Sequence, residues 1–144
     1  MIKTLLLVIA VGVSVCISGI TQDRHNEKDE VKRRLLSAKD IVEKLDGKDA
    51  MASTVELIME PGQSSKPHRH PGPVFGYILE GEYEWAIDDL PVKTLKVGET
   101  FYEPTGCLHR VSKNPSARNK ARVLAVVLHP RDAKQIAIPE PRKE

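Results

Sequence analysis

Gly62-Gln-Ser-Ser-Lys-Pro-His68-Arg69-His70 and, further along, Gly98-Glu-Thr-Phe-Tyr-Glu103-Pro104-Thr-Gly106-Cys107-Leu-His109 decide how this chain is read. The first segment sets two histidines at i and i+2. Side chains alternate across an extended strand, so His68 and His70 point to one face. A third histidine, His109, on a neighbouring strand closes three nitrogens around a divalent ion, and imidazole is the commonest protein metal ligand. The chain has five histidines, and three of them fall in this pattern. His25 and His129 lie outside it and are not expected to be ligands.

Working outward, short apolar runs recur with Gly and Pro at almost every junction. Leu35-Leu36 reads as a short first strand and Asp40 to Leu45 as one helical turn. Met51 to Met59 is a strand ended by Glu60-Pro61-Gly62. Lys66 to His70 starts the next, and Val74 to Leu79 continues it after Pro71-Gly72-Pro73. Glu82 to Ile87 alternates, which places Tyr83, Trp85 and Ile87 on one inward face. Thr94 to Val97, Thr100 to Glu103, His109 to Ser112 and Arg122 to Leu128 complete the set. Strands at this spacing, with no long helices between them, predict an all-β antiparallel sandwich or barrel. The tail from Ile138 is expected to fray.

The N-terminus is a different material. Met1-Ile2-Lys3 supplies a positive start, and Thr4 to Ile20 then runs 17 residues without a charge. Residues 1–20 read as a signal peptide, with cleavage after Ser18 as one option. An uncleaved membrane anchor is the alternative, at the short end of a span. A lipoprotein reading would use Cys16, but Val15 fits poorly before it. All three export the domain, to a periplasmic, secreted or membrane-anchored location. Residues 21–34 read as a charged tether and 35–138 as the folded barrel. Cleavage leaves Cys107 as the sole thiol, so no internal disulfide forms.

The formal charge is +2 with both signs interspersed. Nucleic-acid binding needs clustered Lys and Arg, so it is excluded as a function class. The nearest basic run, Lys32-Arg33-Arg34, sits beside Asp29 and Glu30 and reads as a solvated segment.

The two segments resemble the two signature motifs of the cupin superfamily. Gly62, His68, His70, Gly81, Gly98, Pro104, Gly106 and His109 fall at the offsets of those motifs, over residues 51 to 128. Asn114 lies one residue later than the usual Asn. The resemblance implies a single jelly-roll (double-stranded β-helix) barrel like the small single-domain bacterial cupins, many of them homodimers. It implies one divalent ion, Fe, Zn, Ni, Cu or Mn, on His68, His70 and His109. One departure matters: Val74 stands where the family usually carries a Glu ligand. Glu103 is the candidate substitute. If Phe101 faces inward, period 2 brings Glu103 to the same face, where a metal or a His partner would offset the cost of its burial.

Three-histidine iron cupins of this pattern include thiol and diketone dioxygenases. The resemblance therefore implies a metal-dependent small-molecule enzyme of dioxygenase type, while in the zinc chemistry Glu103 is the expected proton shuttle. With Zn the same site would activate water. A non-catalytic module holding a ligand or a structural or scavenged metal is the other class. A sugar-nucleotide isomerase is the weakest reading, because no phosphate pocket or His/Tyr pair is visible. Cys107 reads as a packing residue near the inward face.

Overall fold

The computed structural model describes residues 30–141, and residues 1–20, expected to be a signal peptide or anchor, lie outside them with most of the expected tether. Ten strands form, and no helix appears among the described residues. They are β1 (Lys32–Leu45), β2 (Lys48–Met59), β3 (His68–Arg69), β4 (Val74–Glu80), β5 (Glu82–Ile87), β6 (Lys93–Lys96), β7 (Thr100–Glu103), β8 (Leu108–Lys113), β9 (Ala121–Pro130) and β10 (Ile138–Pro139). Two five-stranded sheets, ordered β1-β2-β9-β4-β7 and β10-β3-β8-β5-β6, face each other. Every pairing is antiparallel.

The core is the inner layer of both sheets. Strand β9 alternates buried and half-buried residues along its whole length. Val123, Ala125 and Val127 face inward and meet Val74 and Ile78 from β4 and Met59 from β2. Tyr83, Trp85 and Ile87 come across from β5 as the alternation predicts. Gly76 is part of this packing, because a Cβ there would sit 2.0 Å from the Phe101 ring.

Three expectations fail. Asp40 to Leu45 is not helical but the end of β1, which begins at Lys32 within the run read as tether. The signal lay next door, in Asp46-Gly47. Both residues have positive φ, 48° and 76°, and Leu45 pairs with Lys48 across them. That is the two-residue hairpin for which Asp-Gly is the preferred sequence. Second, Lys66 to Leu79 is not one interrupted strand. His68–Arg69 belongs to one sheet and Val74–Glu80 to the other, so Pro71-Gly72-Pro73 carries the chain between layers. Third, the tail does not fray at Ile138. Ile138 pairs with Arg69 and Pro139 with His68, and Arg69 holds Glu140 at 2.9 Å.

Candidate metal centre

Register builds the site. Strands β3 and β8 pair so that His68 lies opposite His109, which joins the two sequence segments. His70 follows at the end of β3, and the ligand-capable atoms of His68, His70 and His109 lie within 4.8 Å of one another. No other three-residue group of this kind occurs among the described residues.

Each of the first two rings is set by a backbone carbonyl. His68 Nδ1 donates to Lys66 O at 2.8 Å, and His70 Nδ1 donates to Ile136 O at 2.5 Å. A ring that donates through Nδ1 keeps a bare lone pair on Nε2, so these carbonyls choose the ligating tautomer. The Ile136 carbonyl comes from the C-terminal segment, and nothing local in the sequence pointed to it.

Glu103 completes the cluster. Phe101 and Glu103 both face inward from β7, as period 2 requires. The β4–β7 register puts Glu103 directly opposite Val74. A carboxylate therefore stands on the partner strand, opposite the position where the family usually carries its Glu. Oε1 accepts from Trp85 Nε1 at 3.0 Å and lies 3.0 Å from His109 Nδ1. Oε2 lies 3.5 Å from His70 Nε2 and, though fully buried, has no hydrogen-bond partner. Tyr83 donates to Ser112 Oγ at 2.8 Å and lies 3.4 Å from His109 Nε2.

Electrostatics follow from burial. Desolvation pushes the Glu103 carboxyl up to about 7, against the Trp85 hydrogen bond. It brings His70 down to about 4 and His109 down to about 3, and it lowers His68 as well. Three neutral imidazoles and a protonatable carboxyl are the donor set that a divalent cation needs. A cation would also occupy the unpartnered Glu103 oxygen. The residues therefore fit a metal.

The remaining candidates sort by surroundings. His129 lies on β9 with Ser53 Oγ 2.9 Å from its Nε2 and the Pro130 carbonyl 2.9 Å from its Nδ1. Cys107 packs against the core, and burial pushes its thiol up to about 11. Asn114 is fully buried and its amide ties Met59, Glu60 and Asn119 carbonyls together, a loop staple rather than a site group. His25 lies outside the described residues.

The family model for the Cupin domain matches residues 55–127, just over half of the chain. Over 90 residues the chain is 34% identical to germin-like protein subfamily 2 member 2 of Arabidopsis thaliana. That alignment covers 58% of this chain and 40% of the plant protein, so the chain spans about two fifths of its relative's length. A Klebsiella pneumoniae protein with a double-stranded β-helix domain superposes with TM-score 0.58 at 20% identity, covering 77% of this chain and 86% of that one. The DMSP lyase DddQ of Ruegeria pomeroyi superposes with TM-score 0.59 at 20% identity, covering 83% and 57%. With the motif residues, the two-sheet barrel and the matched family model in agreement, the chain belongs to the cupin superfamily.

Proposed function

We propose that this chain is an exported, metal-dependent small-molecule enzyme of dioxygenase type, with His68, His70 and His109 holding one divalent ion. The observation that carries the reading is the unpartnered, buried Glu103 Oε2 beside three imidazoles held neutral by burial. A bound divalent ion supplies Lewis acidity there and, if redox-active, a route for electrons to dioxygen. His68 and His70 present Nε2 lone pairs because their Nδ1 protons are engaged. Glu103 titrates near neutral pH, the range in which a carboxyl can both take and return a proton. Trp85 holds Oε1, which leaves Oε2 as the atom that either meets the ion or carries a proton. Val55, Leu57, Val123 and Val127 line the chamber with apolar surface. The small-molecule class is supported by the DMSP lyase among the structural relatives. Export rests on residues 1–20, and a homodimer on the family resemblance.

A non-catalytic metal-holding module is the second reading. It is favoured by the size of the inner chamber, about 50 Å³, which is room for a few waters. The test is metal content by elemental mass spectrometry, followed by oxygen uptake with thiol and diketone substrates. Expected is one iron per chain and turnover that vanishes with the metal. His68→Ala, His70→Ala and His109→Ala should each abolish stoichiometric metal binding while the barrel still folds. Full metal content in those variants would overturn the ligand assignment. Metal without turnover, together with a site closed to exchange, would favour the second reading.

A further inference from the structure

The inner chamber opens beside a second, larger space. A cleft of about 460 Å³ runs along the outside of the barrel mouth. Arg33, His68 and Ala137 line both spaces, so they form the wall between them. The chamber admits only a few heavy atoms, and anything larger must lie mainly in the cleft with its reactive end inside. The chemistry of the cleft then selects what is bound.

That chemistry is cationic. Arg33 and Lys66 line the cleft, against Glu30 as the one acidic group among the described residues. Among the described residues neither cation has a carboxylate within ion-pair reach. The neighbouring Arg34 differs, because it faces away and pairs with Glu56 at 2.7 Å. Arg33 stands opposite Leu57, itself a chamber residue. Its guanidinium is steadied by Val31 O at 3.4 Å and Ser65 Oγ at 3.2 Å, which leaves other N–H donors unused. A planar guanidinium with free donors matches an oxyanion in two-point geometry, and a lysine beside it adds charge.

We propose that Arg33, assisted by Lys66, receives the oxyanion group (carboxylate or phosphate) of a small organic acid whose other end reaches His68, His70 and His109. Arg33 is then the residue that selects acidic substrates. The proposal rests on the metal-site reading for its inner end.

The experiment is calorimetric titration of the zinc-loaded full chain with glutarate and with inorganic phosphate, alongside metal analysis of each sample. Expected is saturable binding of at least one probe, weakened roughly 10- to 100-fold in Arg33→Met and partly restored in Arg33→Lys. Zinc content should stay unchanged in both variants. Glutarate alone binding marks a carboxylate ligand, and phosphate binding marks a phosphorylated one. Arg33 is exposed, so neither substitution should alter the melting temperature. Unchanged affinity for both probes in zinc-loaded Arg33→Met overturns the proposal. So does a zinc-loaded wild type that binds neither probe up to about 10 mM. A wild type without bound zinc that still holds a probe through Arg33 leaves this inference standing and removes the metal reading instead.

Discussion

Glu103 is 1% exposed, and its Oε2 meets no hydrogen-bond donor. Burial pushes its carboxyl up to about 7, above the ordinary carboxyl value of 4.5. A carboxyl of that kind binds its proton more tightly when folded, so it favours the fold below pH 4.5 and loses that contribution as pH rises through 7. Metal-free Glu103→Gln should therefore melt higher than metal-free wild type at pH 8, by roughly 1–3 kcal/mol, with the gap closing towards pH 4.5. Paired thermal melts across that range check this, and equal gaps at both ends would refute it. The histidines act with the opposite sign. Burial brings His70 and His109 down to about 4 and about 3, below the ordinary imidazole value of 6.5, so the unfolded chain binds more protons and stability falls on acidification below about 6.5. With metal present, Glu103→Gln should weaken binding by about 10–100-fold. Loss of turnover at full metal content would make Glu103 a proton carrier rather than a ligand. Moving the carboxylate across the ladder, in Val74→Glu with Glu103→Val, should restore affinity because the two positions are opposed. At this scale the histidines were legible from spacing, and so was the inward face of Glu103. Its partner across the ladder was not, because register is a property of two strands and period 2 describes only one.

The last described stretch of chain sets the metal site from outside the motifs. The Ile136 carbonyl orients His70, Ile136 packs on the core, and β10 clamps β3 through Ile138 and Pro139. Truncation after Arg131 should leave the barrel folded but loosen the His70 ring, with metal affinity falling by about tenfold or more. A competition assay with a chromogenic chelator measures that, and unchanged affinity would show that the strap has no part in the site. Gly76 is the second element-scale test. Gly76→Ala drives a methyl into Phe101, whose ring lies 6.4 Å from that of His109. Overpacking of this kind costs about 1–3 kcal/mol, read as a lowered midpoint in denaturant. Strands β2, β5, β7 and β9 were legible because their alternation is local. The strap and the long β1 were not. Neither shows a regular apolar alternation, and their order comes from pairing with other strands.

For the whole molecule, a cation binding only the folded state stabilises by mass action. At free metal near a hundredfold above its dissociation constant that is about 2.7 kcal/mol, or on the order of 10 °C in melting temperature for a domain of this size. Chelation should remove the gain and metal should return it, measured by scanning calorimetry. A melting temperature indifferent to chelator would mean that no ion is held by the native barrel.

By itself the sequence determined the strand-rich class, the three histidines and the absence of a nucleic-acid footprint, because alternation, turn residues and fixed spacings are local signals. It also placed the missing family carboxylate at Val74. Only the tertiary structure decided which residue stands opposite Val74, which carbonyls aim the imidazoles and that the exposed Arg33 also lines the chamber. Those outcomes depend on pairings between strands distant in the chain. Closing such loops is paid for by burial of the entire core rather than by any local preference.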